Sequence, residues 1–452
     1  MTYIEGYIEE LSVTPGSTIR LHASGVGDKT SLSIFRIASP DVCMLQDIPI
    51  SVSDEPVPDQ AYEHGAGWPV TWEYEIPADW ASGAYRISLR SRDSYDKFSP
   101  TKRNEHGAVH DVLLIVRATK PASSSSILLQ VASSTYHAYN DWGGKSTYNY
   151  NSPGGQSPVV STQRPGIGFY CHSGFDSWEQ DFIRFCDEQN IPLELATNYD
   201  LHTWPDGFDD YKLILSVGHD EYWSKGMRDN LEAFIGNGGN VAFFSGNSIC
   251  WHVRFEEDGR KMVTYKEQYK QDPYFAEERF DELTALWSHP LINRPENSLS
   301  GVGFPAGGYH RSHGVFMDGD GAFTAHVPEH WIFEGTELKE GEKFGGENTI
   351  LGYECDGCHF EMKDGRPVPT CDDGTPENFQ ILAQGPCRWA SGYDKIDVYL
   401  KSGLQVEGGM ACMGIYERNG TVFTAATTDW AHGLGKDPIV DRITLNIIER
   451  LK

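Results

Sequence analysis

Positive charge, long apolar runs and regularly paired cysteines are what this chain has little of. Lys and Arg number 37 against 65 Asp and Glu, a formal net charge of −28. That deficit of cations excludes a face that tracks nucleic-acid phosphates. The same field would repel a strongly anionic substrate, leaving a neutral or cationic small molecule. No apolar run approaches the ~18 residues of a membrane helix, and Val112 to Val116 is among the longest. Met1 to Glu5 carry neither the basic stretch nor the apolar core of a signal peptide. The cysteines are odd in number, nine, and irregularly spaced, which suits reduced thiols better than a disulfide framework. These absences together lead to the expectation of a cytoplasmic, soluble protein. The chain also lacks a G-x-S-x-G nucleophile elbow, both phosphate-binding glycine loops and any internal repeat.

What is present is a globular composition, 39 % hydrophobic and 12 % aromatic over 452 residues, enough for two or three domains. Up to about residue 120 the pattern is one of short strands. Ile19/Leu21, Leu32/Ile34 and Tyr85/Ile87/Leu89 alternate at period two, with turn chemistry at Pro15-Gly16, Ser24-Gly25 and Ser82-Gly83. Without a long helical pattern this reads as a β-sandwich. The polar stretch Pro121 to Ser126 then marks a boundary.

From 127 onward strands and helices alternate. Ile127–Val131, Leu193–Ala196, Leu213–Val217 and Val241–Phe244 read as strands, and helices are predicted to open at Ser177 and Ser224. This is the βαβ pattern of a parallel sheet. Residues 256 to 345 form an irregular insertion, polar and Gly-rich, and the chain closes with strand, turn (Asn419-Gly420), strand and helix.

In such a sheet ligands bind beyond the carboxyl ends of the strands. The third of these strands runs into Gly218-His219-Asp220-Glu221-Tyr222-Trp223, so His219 and Glu221 project to one side if the backbone stays extended. The fourth runs into Ser245-Gly246-Asn247-Ser248. The first is followed by Thr135-Tyr136-His137-Ala138-Tyr139-Asn140-Asp141-Trp142. A solvated helix start is the plain alternative for Asp220 and Glu221, and a satisfied core position the plain alternative for the tyrosines. As tyrosinate, however, tyrosine is a hard ligand for ferric iron. Glu354 follows the apolar pair Ile350-Leu351 and reads by itself as a surface or salt-bridged carboxylate. Cys355-x-x-Cys358, with Cys371 and His359 or Cys387, has the spacing of one zinc knuckle, against which stand reduced or locally paired thiols. Cys171-His172 and Cys250-Trp251-His252 place a thiol near an imidazole, and His310 and His313 read as loop residues without a ligand role.

At these residues the chain resembles the large (β) subunit of N,N-dimethylformamidase and its homologues. The matching stretches are TYHAYNDWGGKS (135–146), LSVGHDEYWSKGMRD (215–229), NVAFFSGNSICWHVRFE (240–256), ILGYECDG (350–357) and GTVFTAATTDWAHGL (420–434). The resemblance implies an α+β multidomain architecture. An immunoglobulin-like β-sandwich (1–120) would precede a Rossmann-like, glutamine-amidotransferase-like α/β catalytic domain (127–452). The family enzyme also carries a lectin-like module for which 452 residues leave no room. The resemblance further implies an amidohydrolase that cleaves small N-substituted formamides to amine and formate. Its site is one mononuclear ferric iron, Fe(III), on two tyrosines and a glutamate. Carried over residue by residue, the ligands fall on Glu221, Tyr139 and Tyr85, with Tyr136 and Tyr170 as competitors for the last position. An apparent insertion at 94–107 blurs that match. The catalytic and supporting groups fall on Glu354, His219 and Asn247, and His432 is given no role. The implied partners are a small neutral amide and either a small subunit or further copies of the chain, with no nucleic acid and no membrane. Two other classes stay open: a thiol-dependent amidohydrolase using Cys250 or Cys171, and a non-catalytic protein that binds a carbohydrate or a partner chain.

Overall fold

The computed structural model describes residues 3–27, 29–91, 109–169, 171, 173–312, 315–316, 320–388 and 409–452. Tyr170, His172, His313 and the 94–107 insertion lie outside them. Mixed α and β structure runs through the chain, with many strands and few helices. No helix among the described residues is long and apolar enough to cross a membrane.

The N-terminal part builds two sheets. One joins Tyr3–Ile8, Thr18–Val26 and Trp72–Glu75; the other is five-stranded and centres on Thr30–Arg36, Gly83–Ser91 and Val109–Val116. Ile19, Leu21, Leu32, Ile34, Tyr85, Ile87 and Leu89, the period-two set, all fall in one buried cluster shared by the two sheets. Ser24-Gly25, expected as a turn, is instead strand: Gly25 pairs with Ile4. A Cβ on Gly25 would meet the Tyr3 carbonyl at 2.7 Å, so the glycine serves close backbone approach rather than a turn.

The polar stretch before residue 127 is not loose. The carboxylate of Glu194 accepts from the backbone N–H of Ala122, Ser124 and Ser125 and from the Ser124 hydroxyl. The serines thereby cap a buried acid at the start of the next unit.

That unit is a nine-stranded sheet. Five neighbouring strands are parallel, in the order Glu194–Thr197, Ile127–Val131, Leu213–His219, Asn240–Gly246 and Gly420–Thr424. Met410–Arg418, Gln380–Pro386, Phe323–Ala325 and Lys343–Phe344 continue it antiparallel. Ile127–Val131, Leu213–His219 and Asn240–Gly246 are largely apolar because helices cover both faces. Glu179–Glu188 and Pro438–Leu451 pack into one core cluster, Lys225–Gly236 into the other. Ser224 caps the last of these helices, its hydroxyl accepting from the Met227 N–H at 3.2 Å. The helix expected at Ser177 begins two residues later, after a 3₁₀ turn, and Glu179 faces inward.

The chain leaves Ile127–Val131 toward one side, adds Glu194–Thr197, then crosses to the other side for Leu213–His219. The two carboxyl ends flanking that reversal open a crevice, the position where open α/β sheets bind ligands. Gly218 turns the chain into it with φ +77°, and a Cβ there would lie 2.6 Å from the Trp178 side chain. Gly218→Ala should therefore combine a left-handed backbone with a clash and cost about 2–4 kcal/mol. A urea midpoint within error of wild type would contradict this packing.

Candidate active site

Three carboxyl ends supply the centre. The helix Ser133–Tyr139 follows the first parallel strand and places Tyr139 beside the crevice. His219 ends the strand Leu213–His219 and pairs in register with Gly246, which puts Asn247 next to it. Glu221 follows two residues after His219. Glu354 comes from further along the chain, on the strand Glu354–Gly357, whose partner across the pair is Tyr309.

Glu221 is the hub. Its Oε2 accepts from the Tyr139 hydroxyl at 3.0 Å and from the Tyr148 hydroxyl at 2.9 Å. Its Oε1 accepts from the Trp251 indole N–H at 2.9 Å. His219 Nε2 lies 3.3 Å from Glu221 Oε2 and 2.8 Å from Glu354 Oε2, so the imidazole sits between the two carboxylates. Its Nδ1 sits 3.0 Å from the Ser173 hydroxyl. Asn247 Nδ2 donates to the same Glu354 oxygen at 3.0 Å, and burial, then the charge of Glu354, pushes the Tyr309 phenol well above its ordinary value. All these side chains are buried: His219 1 %, Glu221 3 %, Glu354 0 %, Asn247 2 % exposed.

The loop that carries Asn247 is strained and clamped. Asn247 and Ile249 have φ of +47° and +61°, a costly conformation for a β-branched residue. Asp356 holds the turn by accepting from the N–H groups of Asn247 and Ser248 at 3.0 and 3.2 Å. Burial pushes the Asp356 carboxyl up to about 8. Beneath the centre Asp220 accepts from Gln130, Asn198 and Ser216 and is raised by burial to about 6.

Burial, then the charge of Glu221, pushes the Tyr139 and Tyr148 phenols well above their ordinary value. In this structure both are therefore neutral and donate to Glu221. The donor set nonetheless suits a hard, highly charged cation: phenol and carboxylate oxygens meet in a dry pocket, and the phenolic protons are those a cation would displace. Lys266 packs against this group, its ammonium 3.4 Å from the Tyr148 ring centre and 3.1 Å from the Tyr222 hydroxyl, which donates to the Tyr148 hydroxyl at 2.6 Å.

The structure brings Tyr139, Glu221, His219, Asn247 and Glu354 together but not Tyr85. Tyr85 is buried among the N-terminal sheets, stacks on Trp80 and donates to the Ala81 carbonyl at 2.7 Å. Its alternation with Ile87 and Leu89 was a packing signal, and packing is what it does. Tyr136, three residues earlier on the helix, donates to Glu179 and not to Glu221. The second phenol on Glu221 is Tyr148, which sequence reasoning missed. It lies just past the quoted 135–146 stretch, in a segment with no periodicity, and only its fold toward Glu221 marks it.

Cys355 and Cys358 fall in different core clusters, the former beside Cys387 and the latter beside Cys412. Cys371 lies near the carbonyls of Pro369 and Pro376. Among the described residues no group of three or more His, Cys, Asp or Glu is placed to hold a metal, and these cysteines are free thiols. His252 does not serve Cys250: its Nδ1 meets the Leu283 carbonyl at 2.9 Å and its ring stacks on Trp287. His310 is buried, its Nε2 accepting from the Gly321 N–H at 3.2 Å.

The fold and the centre together define an α/β protein with a buried tyrosine–carboxylate site at a topological switch point. The chain belongs to the N,N-dimethylformamidase beta subunit-like family, whose C-terminal model matches residues 45–442. One curated relative is the N,N-dimethylformamidase beta subunit of an Alcaligenes species. It is 21 % identical over 361 residues, 70 % of this chain and 44 % of that protein. The chain thus spans less than half the length of that relative.

Glu179, like Asp356, carries a pH signature near the site. Burial raises its carboxyl to about 8 despite the Tyr136 hydrogen bond. The native state keeps a proton that the unfolded chain releases near pH 4. Its stabilisation is therefore complete below that pH and is lost as pH rises through about 8. Denaturant unfolding between pH 5 and 8.5 should show stability falling with pH, with a shallower slope in Glu179→Gln. Equal slopes would contradict the assignment.

Proposed function

We propose that the chain is an iron-dependent amidohydrolase that splits a small N-substituted formamide, of the size of N,N-dimethylformamide, into amine and formate. The observation that carries this reading is the convergence of the Tyr139 and Tyr148 hydroxyls on Glu221, one imidazole away from Glu354. The packed N-terminal sheets are read as an immunoglobulin-like domain, residues 1–120. The remainder, 127–452, is read as a glutamine-amidotransferase-like catalytic domain. Partner chains, a small subunit or further copies, belong to the same proposal.

Tyr139, Tyr148 and Glu221 would hold the ion, a single Fe(III) that supplies Lewis-acid activation of the amide carbonyl and of water. Glu354 takes a proton from the attacking water and returns it to the departing nitrogen as the C–N bond breaks. Asn247 Nδ2–H donates to Glu354 Oε2 and His219 Nε2 lies 2.8 Å from the same oxygen, surroundings that keep it an acceptor. The second N–H of the Asn247 amide is free of Glu354 and stabilises the developing oxyanion. His219 fixes Glu354 and Glu221 relative to each other. Tyr353 and Trp178 meet His219 edge-on, and Trp178 stacks with both Tyr353 and His432, giving an aromatic wall that excludes water and suits methyl groups. The acidic balance of the chain accords with a neutral substrate.

Metal analysis with visible spectroscopy tests this directly. About one iron per chain with a tyrosinate-to-iron charge-transfer band is expected. Tyr148→Phe should lose or strongly shift the band, whereas Tyr85→Phe should leave band and activity unchanged. Glu354→Gln should keep the band while kcat falls by about 10²–10⁴. A Glu354→Gln protein with full activity would remove the proton-transfer role. Iron-reconstituted protein without the band would remove the metal assignment.

A further inference from the structure

A second cavity, of about 300 Å³, lies where the N-terminal sheets meet the parallel-sheet unit. Its floor is formed partly by the helix Ser133–Tyr139 and its walls by residues around Glu9, Ser12 and Asp111 on one side and Asp200 on the other. None of Tyr139, Tyr148, His219, Glu221, Asn247 or Glu354 lines it. The helix therefore serves two chambers: Tyr139 faces the catalytic centre, and Ser134 and His137 face this one.

The hydrogen-bond inventory of the cavity is unbalanced. His137 Nδ1, Ser134 Oγ and Ser12 Oγ are buried and have no hydrogen-bond partner among the described residues. His137 and Ser134 are 6 % and 1 % exposed, so water in bulk does not satisfy them. Leaving such groups unmet is costly, and natural interiors rarely do so unless a ligand or an ordered water completes them. The imidazole is neutral, since burial and then the neighbouring Arg164 charge push it down to about 3, and it can accept a hydrogen bond.

Charge decides what can complete them. The cationic side chains of the lining are already committed. Arg164 donates to the carbonyls of Ser161, Trp142, Lys145 and His137, and Arg117 faces Asp200 at 3.0 Å. Of the five carboxylates that line the cavity, Asp200 faces Arg117, Glu9 faces Arg20 and Asp111 accepts from Ser88, which leaves Glu10 and Asp258, exposed at its rim, as the surplus negative charge. An anion is thus repelled, while a group rich in N–H donors meets both the unmet acceptors and the rim charge.

We propose that this cavity is a binding site for a small organic ammonium ion, its N–H groups donated to His137 Nδ1 and the Ser134 and Ser12 hydroxyls and its charge compensated by the acidic rim. The site is separate from the catalytic centre and does not rest on the formamide reading. A volume of about 300 Å³ accepts a short diamine.

Three four-carbon probes of nearly equal shape test it by calorimetry on the full chain: putrescine, 1,4-butanediol and succinate. Saturable binding of putrescine, with the diol at least about tenfold weaker and no binding of succinate, is expected. Glu10→Gln and Asp258→Asn, both exposed and safe for folding, should each weaken putrescine about two- to fivefold, and the loss should shrink at high salt. His137→Leu, checked for an unchanged circular dichroism spectrum, should weaken it by about tenfold or more. Tyr148→Phe should leave it unchanged. Diol binding as tight as putrescine, putrescine binding indifferent to all three cavity substitutions, or no saturable binding would each overturn the proposal.

Discussion

A single buried carboxylate, Glu221, organises the centre of this protein. A charge held at 3 % exposure is costly unless donors surround it. Those donors come from widely separated places in the chain, Tyr139 on one short helix, Tyr148 beyond it and Trp251 on a later strand, and the His219 imidazole, two residues upstream, lies beside the same carboxylate. Each is in turn fixed by something else. His219 is tied to Glu354 and Ser173, Tyr148 to Tyr222 and Lys266, and the Glu221 N–H to the Thr135 hydroxyl. Removing the carboxylate would leave several buried donors aimed at nothing.

The sheet makes that arrangement reachable. Strand order reverses between Ile127–Val131 and Leu213–His219, so their carboxyl ends diverge into a crevice instead of being bridged by the next connection. Glu354 reaches the crevice from outside the parallel set, because its strand crosses above the carboxyl ends and bridges at Cys355 to Thr427. Strain at Asn247 and Ile249 belongs to the same economy of position. The loop is forced into the left-handed region so that the Asn247 amide meets Glu354, and Asp356 supplies the hydrogen bonds that hold it there.

The helix Ser133–Tyr139 shows how one short element can face several environments. Tyr136 turns to Glu179 in the core, Tyr139 to Glu221, and His137 to the cavity between the sheets. Successive residues separated by about 100° allow three destinations within four positions. The dense cluster of polar and aromatic residues in that segment, conspicuous in the sequence, reflects three sets of partners rather than one.

Periodicity and turn chemistry alone determined much of this protein. The period-two strands of the first part, the strand starting at Ile127, the capped helix after Ser224 and the convergence of His219, Glu221 and Asn247 at strand ends follow from local patterns. Those patterns are local because backbone geometry fixes which side chains share a face. Tyr85 illustrates the boundary: its alternation correctly placed it in a strand but carried no information about which cluster that strand would join. Tyr148, Tyr309, Trp251 and Lys266 show the other side of it. They sit in segments without periodicity, and their roles arise from contacts spanning from 30 to 119 residues of sequence. Only closure of the tertiary structure, which selects partners by burial and hydrogen-bond demand rather than by spacing, could decide them.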